Sequence, residues 1–171
     1  LGESEWKLVA RYVDAFQRFD IDALVALLRD DATVSMPPIP GWLHGRAAIG
    51  RFWRGAGSGC RGSRLLRTRA NGLPALGSYR PAPGGGYQAF AIQVIEIGGG
   101  RITGLHAFIE PRLFPLFDLP DHLDQVRRPL RPGGAGQGAG GRPARAGQDR
   151  GPPVRRQLQG RHLLRRLSQP A

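Results

Sequence analysis

Cysteine is almost missing from this chain. Cys60 stands alone among 171 residues, which excludes an intrachain disulfide and argues against a thiolate metal cluster. It reads as a small filler residue in a glycine-rich loop. Long apolar runs are missing too: no stretch of about 18 apolar residues appears, and the N-terminus has no basic segment leading into a hydrophobic one. Neither a membrane span nor a secretory signal is therefore expected, and the chain reads as cytoplasmic. The nucleophile elbow, the phosphate-binding P-loop, the dinucleotide glycine fingerprint and metal-ligand spacings do not occur. The GSGCRG and GGG stretches are loop glycines, and no metal or cofactor is expected. The sequence opens on Leu1 rather than Met, which reads as a piece of something longer or an incomplete reading frame.

Acidic residues nearly vanish from the C-terminal quarter. Residues 126–171 hold 11 Arg against one acid, Asp149, whereas residues 1–125 hold 14 Lys or Arg against 12 acids. The formal net charge of +12 therefore belongs mainly to the last quarter. Gly, Ala, Pro and Arg make up 31 of those last 46 residues, a composition that cannot bury enough apolar area to offset the entropy of ordering. The expected organisation is one domain over 1–125 followed by an Arg/Gly/Pro-rich disordered tail over 126–171. The tail reads first as the frame-shifted end of a GC-rich gene, then as a plain solvated tail. Nucleic-acid binding through its arginines ranks last.

What the first 125 residues do contain is periodic. Trp6, Val9, Val13 and Phe16 recur at helical spacing and predict an amphipathic helix over 3–17, with Tyr12 at the edge of its buried stripe. Asp20 is placed to cap a second helix running to Leu28. A short strand over 32–36 leads into MPPIPGW, whose prolines exclude helix and central strand and predict a rigid loop. A third helix follows over 46–54, burying Ile49, Phe52 and Trp53. Beyond it the period changes to two. Strands are expected over 64–68 and 75–79 around a turn at Asn71 and Gly72, then over 87–97 and 101–111 around the triple glycine. On the longest strand Phe90, Ile92 and Val94 fall on one face and Ala89, Ala91, Gln93 and Ile95 on the other. On the next, Ile102, His106 and Phe108 oppose Leu105, Ala107 and Ile109. Both faces are apolar, so the sheet is expected to be covered on both sides, the second by another subunit or by the rest of a longer protein. Three helices ahead of a curved, mostly antiparallel sheet of four main strands define an α+β domain with a hollow between the layers.

Four phrases in order carry a resemblance: ARYVDAF, FDIDALVALLRDDATVSMPP, HGRAAIGRFWRG and GRITGLHAF. Over about residues 5–110 they resemble the ketosteroid isomerase and SnoaL-like branch of the NTF2-like superfamily. The resemblance implies a cone-shaped α+β barrel, often dimeric, with a deep apolar pocket. Two further phrases, RLLRTRANGLPALGSYR and AFIEPRLFPLFDLPDHL, resemble the SnoaL-like domain at the C-terminus of extracytoplasmic-function sigma-70 factors. That likeness implies the sigma regions and RNA polymerase as partners, with a hydrophobic small molecule as ligand.

In the isomerases an Asp base moves a proton while a Tyr and a protonated Asp stabilise the enolate oxygen. By resemblance Tyr12 matches that Tyr, Met36 stands at the base, Trp53 replaces a supporting Tyr, and Gln93 or a neighbour stands near the second acid. A thioether accepts no proton at useful pH. The expected function is therefore a non-catalytic, ligand-binding regulatory domain detached from a sigma factor. Its ligand-binding residues are Tyr12, Phe16, Met36, Trp42, Trp53, Gln93 and Ile109. The alternative is an isomerase or cyclase acting on a hydrophobic cyclic substrate, with Tyr12 and His106 as catalytic groups. His44 is a weaker titratable candidate, and Asp30 with Asp31 read as a solvated helix end. A homodimer is expected, and membrane association is not.

Overall fold

The computed structural model describes residues 2–124, so the expected tail over 126–171 lies outside the described residues. Helix α1 spans Glu3–Arg18. Its first turn is tied by the Glu5 carboxylate accepting from the Gly2 N–H at 2.7 Å, and its exposed face carries the Asp14–Arg18 pair at i,i+4 spacing. Phe19, in the left-handed region at φ 55°, ends it. Asp20 then caps α2 (Ile21–Leu27) by accepting from the Ala23 N–H at 3.0 Å, as its position in the sequence predicts.

Strand β1 (Leu28–Met36) begins four residues earlier than the alternation suggests. Leu28 continues the apolar pattern of α2, yet it is fully buried as a strand residue opposite Ile102. The predicted loop is also corrected. Ile39–His44 form β2, antiparallel to β1. The prolines do exclude a central strand, but β2 is an edge strand, where a missing N–H costs no ladder bond. Helix α3 (Arg46–Arg54) follows, then a short 3₁₀ segment at Ala56–Cys60.

Four further strands complete the main sheet path: β3 (Arg64–Ala70), β4 (Leu73–Pro81), β5 (Tyr87–Gly98) and β6 (Arg101–Phe108). The order is β2-β1-β6-β5-β4-β3, antiparallel except for the parallel β1/β6 pair, and β7 (His122–Leu123) adds to β5. Asn71 and Gly72 at φ 50° and 80° make the β3–β4 turn. Gly99 and Gly100, at 61° and 71°, make the β5–β6 turn. Positive φ at both central positions matches the strand twist of a two-residue hairpin.

The α+β arrangement holds, with three helices on one face of the sheet. That face carries the larger core, including Val9, Phe16, Leu24, Ile49, Leu76 and Ile95. Two faces are reassigned by bulges, each of which inserts one extra residue and inverts the alternation beyond it. The β4/β5 pairing skips Phe90, so Ala89 joins Ile92 on the outer face rather than Ala91 and Gln93. The β5/β6 pairing skips Thr103, so Ile102 joins Leu105 under the helices rather than sharing a face with His106.

The outer face has its own core around Tyr79, Ile92, Phe114 and Leu119. Its cover comes from the same chain: a 3₁₀ segment, Pro111–Phe117, folds back over β3–β5. Phe114 is fully buried and meets Tyr79 edge to face at 5.1 Å between ring centroids. The expected second cover is thus partly intramolecular. Trp42, Phe108 and Leu116 remain exposed at 69%, 38% and 77%. Among the described residues no helix is long and apolar enough to cross a membrane.

Candidate functional site

Under the helices, α1 sets Tyr12 one turn before Phe16, with ring centroids 5.6 Å apart. The Tyr12 hydroxyl donates to Gln93 Oε1 on β5 at 3.0 Å, and both residues are buried. Burial holds the Tyr12 hydroxyl well above the ordinary tyrosine range, with the Cys60 thiol adding to the shift. Trp53 comes from α3 into the same core, and Met36, at the end of β1, packs half-buried against it. The fold therefore brings Tyr12, Phe16, Met36, Trp53 and Gln93 to one face. The polar centre there is a neutral hydroxyl–amide pair. Tyr12 binds Gln93 and stays protonated, while Met36 occupies the position at which the resemblance puts a base.

His106 is on the other face. It pairs with Val94 across β5/β6 while Ala107 pairs with Gln93, and cross-strand partners share a face. Tyr12 and His106 are thus separated by the sheet. On its own side His106 is held at both nitrogens: Ser35 Oγ lies 2.8 Å from Nδ1 and Glu96 Oε1 lies 3.3 Å from Nε2. Which partner donates in the Ser35–His106 bond follows the imidazole tautomer, and the Glu96 carboxylate stands beside Nε2 as its charge partner. Glu96 reaches the ring by crossing Gly104, where a Cβ would sit 2.6 Å from its Oε2. Trp42 packs against the ring edge at 5.8 Å between centroids and is otherwise solvent-facing, so it is neither core nor a wall of the helix-side interior. Ile109, half-buried just past β6, is fixed by its N–H to the Pro37 carbonyl at 2.8 Å.

Beside His106 the outer face holds a cavity of about 320 Å³. Ala70, Ile92, Val94, His106 and Phe108 form its floor, and Leu113, Leu116 and Phe117 its cover. The size suits a small ring system, and the lining is apolar apart from the imidazole and Asn71 at the β3–β4 turn. The other expected candidates have surface roles. Asp30 pairs with Arg46 and Asp31 with Arg29, and His44 is exposed. Among the described residues no group of His, Cys, Asp and Glu is placed to hold a metal.

Ser35, Glu96 and the cover residues went unnoticed in the sequence. Their significance lies in pairings between β1, β5 and β6 and in a segment that folds back over the sheet, and none of this leaves a local period. The one available signal was the phrase EPRLFPLF, apolar and proline-bearing just after the last strand.

Residues 9–105 match the SnoaL-like domain family. The chain belongs to that family. This SnoaL-like domain is 37% identical over 118 residues to the ECF RNA polymerase sigma factor SigG of Mycobacterium tuberculosis (strain ATCC 25618 / H37Rv), a stretch covering 68% of this chain and 32% of that protein. The chain thus spans about a third of the sigma factor's length. It is also 36% identical over 108 residues to the Steroid Delta-isomerase of Nocardioides simplex, covering 60% of this chain and 87% of that enzyme. Among solved structures, an NTF-2 like protein of unknown function from Burkholderia xenovorans LB400 superposes with a TM-score of 0.53 at 16% identity, over 75% of this chain and 89% of that one. That likeness concerns fold. The SnoaL-like domain is therefore NTF2-like in architecture, related both to a sigma-factor region and to a steroid isomerase.

Proposed function

We propose that this SnoaL-like domain is a non-catalytic, regulatory module of a sigma-70-type transcription factor that binds an apolar small molecule. One observation carries the reading: the Tyr12 hydroxyl is buried and bonded to the neutral Gln93 amide, while by resemblance the position of the base is held by Met36. General base work is worth about 10² to 10⁴ in rate, and a thioether supplies none of it. The likeness to the sigma factor supports the regulatory context, with the sigma regions and RNA polymerase as partners. The exposed Trp42 and Phe108 favour contact of the outer face with a second copy or with the rest of a longer protein.

The apolar cavity beside His106 is where such a ligand is best accommodated. A thermal-shift titration with a steroid and with a polycyclic aromatic ketone tests this on the full chain and on Val94→Trp, which fills the cavity. A compound at 100 times its Kd stabilises by about 2.7 kcal/mol, roughly 5–10 °C for a chain of this size. We expect that shift in the natural sequence and its loss in Val94→Trp. A shift that survives the filling contradicts the assignment of the cavity, and no shift with any apolar cyclic compound contradicts binding.

The second reading is an isomerase or cyclase acting on a hydrophobic cyclic substrate, favoured by the likeness to a steroid isomerase over most of that enzyme's length. In it Tyr12 would polarise a carbonyl. His106, across the sheet and engaged at both nitrogens, is not placed to carry the proton.

A further inference from the structure

Between Asp31 and Glu96 the chain has no acidic residue, yet that stretch contains eight arginines. Two of them are neutralised, Arg46 by Asp30 and Arg54 by Asp22. Arg61, Arg64, Arg67 and Arg69 are exposed and take part in no ion pair among the described residues. All four lie on β3 or the turn leading into it, and β3 is the outermost strand at its end of the sheet.

Each of these guanidinium groups rests on an aromatic ring. Arg61 lies 4.4 Å from the centre of Phe19 and Arg64 5.4 Å from Tyr87. Arg67 and Arg69, two residues apart and on the same face of the strand, lie 5.8 and 5.4 Å from Trp6. A carboxylate partner would fix a guanidinium and cancel its charge. A ring fixes it and leaves the charge intact. The result is four positioned, un-neutralised cations on one edge strand and the turn before it, with Arg67 and Arg69 on one face of β3 and Arg64 on the other.

We propose that this edge docks the phosphate backbone of nucleic acid. Planar guanidinium groups bind phosphate oxygens in bidentate fashion, and a row of them with no interspersed acid is the electrostatic footprint of backbone binding without sequence readout. Main-chain strand addition is a poorer use of this edge, because the Leu65 N–H is already donated to the Gln17 side chain at 3.1 Å. A protein partner fits less well, since protein interfaces centre on buried apolar anchors. The exposed Trp42, Phe108 and Leu116 are not on this strand. The surface is distinct from the Tyr12 group and does not depend on whether the outer cavity is filled.

The test is fluorescence anisotropy of the full chain with a labelled 20-base-pair duplex across a salt series, because residues 126–171 contribute arginines of their own. The variant replaces Arg61, Arg64, Arg67 and Arg69 with Gln. We expect the slope of log affinity against log salt to shrink by about 0.9 for each phosphate no longer neutralised, so by about 3 to 4 in total. Trp6→Leu removes no charge, and we expect it to weaken binding about 2- to 5-fold by freeing Arg67 and Arg69. Circular dichroism melts confirm that both variants are folded. An unchanged salt slope in the quadruple variant overturns the proposal. So does a quadruple variant that loses binding to anionic phosphatidylserine vesicles while keeping its affinity for DNA, which would make the edge a membrane-binding surface.

Discussion

At the scale of single residues, the Tyr12–Gln93 pair is a buried structural bond under the helices, and the proposed binding role rests on it. Deleting the hydroxyl leaves the buried Gln93 oxygen without its donor. Removing one partner of a buried hydrogen bond costs about 1–3 kcal/mol, and Tyr12→Phe is expected to lose that much in urea denaturation at pH 7. Alkali should narrow the gap. Burial raises the folded-state pKa of Tyr12 above that of the unfolded chain, so its contribution is complete below pH 10 and is lost as pH rises beyond it. Tyr79, pushed up to about 12 by burial first and the Asp121 carboxylate second, adds to the loss between those values. The Phe variant lacks the Tyr12 share of this dependence, so its stability should fall less steeply above pH 10. A gap that stays constant up to pH 11 would contradict the burial of the Tyr12 hydroxyl. Tyr12 and Met36 were legible in the sequence because flanking phrases fix their places. The hydrogen bond to Gln93 follows from a strand register that the sequence left open.

Among elements, the Pro111–Phe117 segment decides how the outer sheet face is used. It packs over Gly77, where a Cβ would stand 2.6 Å from Leu119 and 3.2 Å from Phe114. The absent side chain lets the cover lie flat. Phe114→Ala should cost about 3–5 kcal/mol, the usual range for a large buried side chain. Gly77→Ala should cost about 1–3 kcal/mol by overpacking. Both should also expose apolar surface to a hydrophobic dye at temperatures where the natural sequence stays dark. Two fully stable variants would mean that the segment does not hold the cover in solution. The helices, both hairpin turns and the two long strands were readable because 3.6- and 2-residue periods and turn glycines are local signals. Strand β2 was not, because proline chemistry forbids a central strand and says nothing about an edge. The bulges at Phe90 and Thr103 were hidden for a similar reason: an extra residue leaves the apolar count unchanged while it flips Ala89 and Ile102 to the opposite face.

For the molecule as a whole, the sheet divides the chemistry. One face is a helix-covered core with a neutral polar pair. The other holds an apolar cavity beside an imidazole tied to Ser35 and Glu96. The arginine-lined edge belongs to β3. The sequence foresaw apolarity on both faces but assigned the second cover to another subunit or to the rest of a longer protein, because a short 3₁₀ segment after the last long strand has no period to betray it. Family membership fixes this frame without fixing the activity, since one fold hosts many reactions. The most direct measurement is the ultraviolet assay of double-bond migration in a Δ5-3-ketosteroid, run with the full chain and with Tyr12→Phe. We predict a rate for the full chain indistinguishable from buffer. Turnover above buffer that falls in Tyr12→Phe would show that proton transfer does take place beside Tyr12, and would contradict the binding-module account.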